Sequence, residues 1–424
     1  MNEYDLQLDK MEKNQLKEII LEQKNTFEKD LEIIPRQIPT NAISSQKITV
    51  ITGIRRCGKS TLLRQIARKY DEYNYINFED ERLLEFTYKD FNTLLEIFLE
   101  LQPKAKTFFF DEIQNISGWE KFARRLFTEQ YKLYITGSSA KLLSSEIATS
   151  LTGRNIRIEL YPFSFKEYLD YNQFKLKKIF VTKERAQIAK YLEEYLTFGG
   201  FPEIIQSKDY EELNQIYQDI IIKDLLVRLQ IRDNKDFREL AMYLLSNVSK
   251  KMSYNNIKNL LQFSNTSKVK NYVEALTEAY LFFNINKYDS SIKKQIRNEK
   301  KIYCIDQGII NATAFKFSKE EGRIIENTVF LELKRRKKEI YYEEDKTECD
   351  FLIKEGLNIV KAIQVTVSLA EEKTKQREIS GLLNAMSKYD LSKGTIITKN
   401  HEETIRMEKK IIQIIPLWKF LLEE

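Results

Sequence analysis

The chain has 424 residues, 42% hydrophobic and 31% charged, with 69 basic and 63 acidic side chains and a net charge of +6. That balance excludes a disordered chain and a global polycation, so any contact with nucleic acid has to come from a local patch. Three scattered cysteines (Cys57, Cys304, Cys349) and one histidine (His401) leave no basis for a disulfide framework, a zinc site or His-centred catalysis. The length predicts two or three domains. The N-terminus MNEYDLQLDKMEK has no apolar h-region, and the run IIQIIPLWKFLL is broken by Pro416 and Lys419. Neither is a spanning helix, and a cytosolic protein without membrane contact is the expectation.

In chain order, residues Met11–Glu28 read as a charged helix, and Pro35 in DLEIIPRQI breaks the pattern. This is a lead-in helix packed on the domain that follows. QKITVIT (Gln46–Thr52) is apolar and β-branched, as in a buried strand of a parallel sheet. STLLRQIARKY (Ser60–Tyr70) carries Leu62, Leu63, Ile66 and Ala67 at helical spacing. Between them, Gly53-Ile54-Arg55-Arg56-Cys57-Gly58-Lys59-Ser60 matches G-x-x-x-x-G-K-[ST] in its required place, after a strand and before a helix.

The residue types follow from phosphate chemistry. Gly53 and Gly58 let backbone N–H groups wrap a phosphate chain where side chains would clash. The helix starting near Lys59 points its N-terminal dipole at the anion. Lys59 reaches the β- and γ-phosphates, and the Ser60 hydroxyl is a ligand for Mg²⁺. The segment from Gly53 to Thr61, with Arg55, Arg56 and Cys57 inside it, is therefore the predicted ATP-binding loop. Arg55 and Arg56 face the nucleotide, a partner or solvent.

YNYINFED (Tyr73–Asp80) is a second strand. AKTFFFDEIQN supplies a third, Thr107–Phe110, ending in Asp111 and Glu112. An aspartate at that edge holds Mg²⁺, and the adjacent glutamate polarises water as a general base. A fourth strand, Lys132–Thr136, ends in Gly137, Ser138 and Ser139, where Ser138 is placed to sense the γ-phosphate. NIRIEL (Asn155–Leu160) is the fifth. Separation of the Asp-Glu strand from the loop strand predicts the parallel order 5-1-4-3-2.

TGIRRCGKSTLL, YINFEDERL, FFFDEIQ, YITGSSAKLLSSEIATSLTGR, LYPFSFKEYL and FGGFPEI follow one another in this order. Together they resemble the AAA-type ATP-binding proteins of bacteria and archaea that carry a C-terminal domain of unknown function. The resemblance spans nearly the whole chain. It implies nucleotide and Mg²⁺ roles for Lys59, Ser60, Asp111 and Glu112, a sensor role for Ser138, and an arginine finger at Arg154, in its own chain or on a neighbour.

FKEYLDYNQFKLKKIFVTKERAQIAKYLEEYLTFGGFPEI is mostly helical, and Gly199, Gly200 and Pro202 end the pattern, which places the first domain at 1–200. FRELAMYLLSNV, SYNNIKNLLQF and NTSKVKNYVEALTEAYL read as three helices, and FFNINKYD with KKIYCID as a hairpin. This is the pattern of a winged helix-turn-helix in a domain over 201–310. Its third helix buries Val269, Tyr272, Val273 and Leu276, with Ser267, Lys268, Lys270 and Asn271 mainly on the other face. The wing carries Lys287, Lys293, Lys294, Arg297, Lys300 and Lys301 against Asp289 and Glu299. Either this patch meets DNA phosphates or the module relays motion between domains.

In 311–424, Glu326 lies on a helix, Asp350 starts a strand, and Gln364 and Thr366 share a face of the next strand. The arrangement is that of a PD-(D/E)xK nuclease-like fold, with Gln364 in place of the second carboxylate and Thr366 in place of the lysine. Lys361, Lys373 and Arg377 are out of frame, so cleavage is not expected. The whole is read as an α/β chain: a Mg²⁺-dependent ATPase coupled to a winged-helix and nuclease-like module. The alternatives are an ATP-regulated DNA-binding or nuclease-type defence effector and a slow ATP-binding interaction switch. Self-association into an oligomer goes with the AAA-type resemblance.

Overall fold

Every residue of ITVITG is buried along β1 (Ile48–Gly53). A strand covered on both faces needs apolar or β-branched side chains at consecutive positions, and Ile48 to Thr52 supply them. β3 (Thr107–Asp111) and β4 (Lys132–Gly137) are likewise buried throughout. With β2 (Asn74–Asn77) and β5 (Asn155–Leu160) they form a parallel sheet in the order β2-β3-β4-β1-β5. That is the predicted order, read from the other edge. The computed structural model describes residues 11–29, 32–138, 151–177, 181–314, 321–345, 347–407 and 409–423. They fold as two compact units, Met1–Leu160 and Tyr161–Glu424.

In the first unit, register sets which residues meet. Thr52 pairs with Gly137, Gly53 with Leu160, and Asn77 with Asp111, so the strands end together along one edge. Below that edge an aromatic core forms, in which the Phe91 and Phe122 rings stack at 4.3 Å beside Phe108 and Phe110. The helix Lys13–Glu28 inserts Leu16, Ile19 and Ile20 into the same core. Its Gln23 exchanges hydrogen bonds with Asn77 and donates to Asp80. This helix is the packed lead-in its pattern predicts.

At the opposite edge the buried Lys132 closes the sheet. Its Nζ donates to the carbonyl oxygens of Ser45 (2.7 Å), Lys47 (2.6 Å) and Ala42 (3.2 Å), and lies 3.1 Å from Thr49 Oγ1. All four acceptors are uncharged, and burial pushes this lysine down to about 8.

In the second unit, the helices Asn234–Ser246, Tyr254–Leu260 and Thr266–Glu278 and the hairpin β7 (Phe282–Asn286) and β8 (Lys300–Cys304) form where the sequence pattern predicts. A two-residue strand, β6 (Lys251–Met252), joins them in the order β6-β8-β7. A short helix, Ile292–Arg297, occupies the connection between β7 and β8. The remainder is a mixed six-stranded sheet, β13-β14-β12-β11-β10-β9. Its strands are β9 (Glu339–Glu344), β10 (Glu348–Glu355), β11 (Asn358–Val365), β12 (Lys393–Thr398), β13 (Glu403–Met407) and β14 (Lys410–Pro416). The helix Glu372–Lys388 packs Leu382, Ala385 and Met386 on this sheet. The helix Glu321–Arg335 packs against β8, β9 and β11.

The boundary expected near residue 200 does not coincide with the division at residue 160. The Gly199-Gly200 turn is a buried crossing, not a linker. Asp306 accepts hydrogen bonds from the Gly200 (2.7 Å) and Gly308 (2.8 Å) N–H groups. A Cβ on Gly200 would come 2.3 Å from the Phe163 carbonyl oxygen, so only glycine permits this approach. Gln307 and Asn311 donate to carbonyls of Tyr195, Leu196 and Thr197. The helix Thr182–Phe198 is thereby tied to the chain a hundred residues later.

Lys132→Met removes the donor from these carbonyls and should lower stability by about 2 kcal/mol. The native pKa near 8 lies below the unfolded value of 10.5. Between those pH values the unfolded chain holds the proton that the native state has released, so parent stability rises with pH and the variant lacks that rise. Urea unfolding of both proteins between pH 7 and 10 should show the gap widening. A gap that is absent, or that narrows, refutes the assignment.

Candidate nucleotide-binding site

The loop after β1 needs its glycines for two different reasons. A Cβ on Gly53 would lie 2.2 Å from the Leu160 carbonyl oxygen and 2.9 Å from Cys57 Sγ. Gly58 has φ +96°, in the left-handed region that side chains disfavour. Cys57 is fully buried, and burial pushes its thiol up. It can therefore offer a ligand only its backbone. Its carbonyl accepts a hydrogen bond from Arg36 Nη1 at 3.1 Å. Ser60 and Thr61 are exposed at the start of the helix Lys59–Ala67. Arg55 pairs with Glu79 at 2.9 Å, and Arg56 is exposed.

Lys59 is buried, with Nζ 3.2 Å from Glu112 Oε1 and 3.3 and 3.4 Å from the Gly53 and Ile54 carbonyl oxygens. Burial works against its charge, but Glu112 and Asp111 outweigh it and hold its pKa above the usual value. The reciprocal holds for Glu112: burial would raise it, and Lys59 leads the groups that keep it lowered. Asp111 is raised, first by burial and then by the Glu112 charge, against hydrogen bonds from Ser60 and Thr136. A buried carboxylate disfavoured by a second one, with a hydroxyl bonded to it, is a donor set that fits a divalent cation.

Several supporting residues have no role assigned from the sequence. The Thr136 hydroxyl donates to Asp111 Oδ1 and accepts the Glu112 N–H at 2.9 Å. One β4 residue thus holds both acidic residues. Phe110 pairs with Ile135, so the predicted strand order already places residue 136 beside residue 111. Glu112 has φ +50°, which turns it out of the strand line. Gln114 Nε2 donates to Glu112 Oε2, and Tyr75 OH donates to Asp111 Oδ2 at 3.4 Å. Ser138 is buried directly after β4, at the same edge. Ser139 lies outside the described residues.

Arg154 is not brought to this edge. Ile48, the first residue of β1, donates its N–H to the Arg154 carbonyl at 2.9 Å. Gly53 is five residues further along β1, about 16 Å at the rise of a strand. That distance exceeds the reach of an arginine side chain. The version of the finger acting within its own chain is therefore corrected.

In the second unit Glu326 and Asp350 meet around an ammonium, and Gln364 bonds to the Asp350 backbone. Lys301 Nζ lies 3.1 Å from Glu326, 3.0 Å from Asp350 and 2.6 Å from Glu348. Tyr303 OH donates to Glu326 at 2.8 Å. The Gln364 side-chain oxygen accepts the Asp350 N–H at 3.2 Å, and Asp350 accepts the Val365 N–H at 2.9 Å. Lys301, expected on the exposed wing, is 1% exposed. Residues 301 to 304 of β8 are all buried, so alternation along the strand gives no sign of it. Among the described residues, no group of three or more His, Cys, Asp or Glu is arranged to hold a metal.

The predicted nucleic-acid contacts divide. Lys268 is neutralised by Asp233 and Asp236, both at 2.7 Å. This corrects its reading as a free phosphate contact. Lys270 pairs with Glu274 at 3.6 Å, and Lys294 lies 3.8 Å from Asp289. Lys293, Lys294 and Arg297 are exposed on the helix Ile292–Arg297, beside exposed Ile292 and Ile296. No helix among the described residues is long and apolar enough to cross a membrane.

Residues 45–169 match the family described as an AAA domain, and residues 189–320 match a domain of unknown function. An uncharacterized protein of Methanocaldococcus jannaschii is 41% identical over 415 residues, covering 93% of this chain and 92% of the relative. An uncharacterized protein of Haemophilus influenzae is 29% identical over 397 residues, covering 89% and 94%. Among solved structures, the replication initiator DnaA bound to AMPPCP and single-stranded DNA is 18% identical. It covers 56% of this chain and 83% of its own, with a TM-score of 0.26, too low to carry an argument.

Proposed function

This chain belongs to the AAA-type P-loop proteins, in one family with the M. jannaschii relative, and from that premise we propose that it binds ATP with Mg²⁺ and hydrolyses it. The observation that carries the reading is the buried Lys59–Glu112 pair beside Asp111, at the edge where the loop, β3 and β4 end together. The N–H groups from Gly53 to Thr61 would take the phosphates, and Ser60 with Asp111 would hold the cation. Mg²⁺ when bound supplies charge neutralisation to the phosphate oxygens. Lys59 exchanges a carboxylate for phosphate oxygens, which leaves Glu112 free to accept a proton from water. Ser138 stands at the edge as the sensor. Arg154, out of reach of its own site, serves the site of a second copy.

The second unit is the responding module. The helix, strand and wing order of Asn234–Cys304 supports a winged-helix reading, and Glu326, Asp350 and Gln364 support a nuclease-like sheet. With Lys301 between the carboxylates and Thr366 in the lysine position, the module binds without cleaving. A nucleic-acid partner is favoured by the exposed wing, where Lys293, Lys294 and Arg297 flank Ile292 and Ile296. Cations meet phosphates, and an apolar pair suits a groove or a base step.

Lys59→Ala should abolish ATP binding, and Glu112→Gln should keep it while lowering turnover at least 10²-fold. Equilibrium nucleotide binding and single-turnover rates test both. Glu112→Gln turning over at the parent rate would remove the base assignment.

Arg154→Ala should lower turnover about 10³-fold with little change in ATP affinity. Specific activity of the parent should rise with protein concentration. Activity independent of concentration contradicts a finger supplied by a second copy.

Replacing Lys293, Lys294 and Arg297 by Ser should weaken duplex binding for all sequences alike and reduce the log–log salt slope by about 3. Titrations of labelled duplex at two salt concentrations measure this. Absence of binding at low salt, with ATP or ADP, leaves the module as a mechanical relay.

A further inference from the structure

We propose that Gln114 positions Glu112 for proton transfer. The inference rests on the reading of Glu112 as general base and assigns that base a positioning partner.

The two carboxylate oxygens of Glu112 have different partners. Oε1 faces Lys59 Nζ at 3.2 Å, and Oε2 accepts a hydrogen bond from Gln114 Nε2. The lysine is shared with the phosphates and leaves when nucleotide binds. The amide is not shared with anything. Gln114 sits in the single turn Ile113–Asn115 that follows β3. That turn is pinned by the Asn115 N–H on the Glu112 carbonyl (3.2 Å) and by Asn115 Nδ2 on the Phe78 carbonyl (3.2 Å). The amide is therefore delivered to Glu112 from a fixed base.

Gln114 Oε1 is buried and has no hydrogen-bond partner in the protein. Reversing the amide does not relieve it, because the carbonyl would then face the carboxylate. A buried orphan acceptor is unfavourable, and an apolar side chain of similar shape avoids that cost. Packing alone gives no reason for glutamine at this position. Its donated N–H does: it fixes Oε2 and leaves Oε1 as the free oxygen once Lys59 has moved to phosphate.

The test compares Gln114→Leu and Gln114→Glu with the parent and with Glu112→Gln. Turnover, KM for Mg-ATP and urea unfolding are measured for each. Gln114→Leu should lower kcat on the order of 10²-fold, as misplacement of a catalytic group does. KM should stay within about twofold, since ground-state phosphate contacts are untouched. The urea midpoint should be unchanged or higher. Gln114→Glu, which sets a second carboxylate against the first in place of the donor, should lower kcat at least as far. Parent turnover in Gln114→Leu, or a loss of turnover that tracks a lowered urea midpoint or a raised KM, overturns the proposal. Parent turnover in Glu112→Gln overturns the underlying base reading as well. An inactive Glu112→Gln beside an unimpaired Gln114→Leu overturns only the positioning role.

Discussion

A buried ammonium has to be compensated within the protein, and three lysines in this chain meet that demand in three ways. Lys132 has carbonyl and hydroxyl oxygens and the Tyr134 ring around it, and burial pushes it down to about 8. Lys59 has two carbonyls, one contacting carboxylate and a second nearby, and its charge is retained. Lys301 has three carboxylates and is held well above its usual value, although burial opposes it. The sequence of surroundings runs from neutral dipoles to full charges, and the strength with which the proton is held follows it. Each lysine fixes a different part of the chain: the closed edge of the parallel sheet, the loop edge, and the joint between β8 and the six-stranded sheet.

Only one of the three is built for exchange. Lys59 begins a helix whose next residues, Ser60 and Thr61, are exposed, so incoming phosphate oxygens can replace its partners without unfolding anything. The like-charge crowding of Asp111 and Glu112 is unfavourable as it stands and becomes favourable around a cation. Lys301 is the opposite case. Removing a buried ammonium from its carboxylates strands their charges, which costs about 3–5 kcal/mol. An ion cluster of that kind serves as structure. The same residue types, lysine with Asp and Glu, thus stand beside an exposed helix start in one unit and form a closed joint in the other.

The parallel sheet order, the loop and the Asp-Glu pair were legible because each is a local pattern: a buried run, a fixed spacing, a strand ending in acid. Thr136 and Gln114 were not, since their roles depend on which strand lies beside which and on where a turn returns a side chain. Lys301 was misplaced for a related reason. In KKIYCID the positive charge reads as surface, and the carboxylates that overturn this come from positions 326, 348 and 350. Lys268 fails likewise, because Asp233 and Asp236 lie on a preceding helical segment. The Gly199-Gly200-Phe201-Pro202 stretch has the composition of a linker, yet a buried aspartate over a hundred residues away makes it a crossing. Positions set by a local pattern are legible in the sequence, and positions set by a distant charge are not.

The joint at Lys301 constrains the connection between β7 and β8. Only Asn298, Glu299 and Lys300 separate the exposed helix Ile292–Arg297 from Lys301. Lys300 and Lys301 are already in β8, paired with Asn286 and Ile285 of β7 and with Met252 and Lys251 of β6. A strand is stiff along its length, so displacing the end of that connection means moving Lys301 against Glu326, Glu348 and Asp350. The energy of stranding those carboxylates opposes that motion. The helix Ile292–Arg297 is therefore anchored at its C-terminal side to the six-stranded sheet through Lys301.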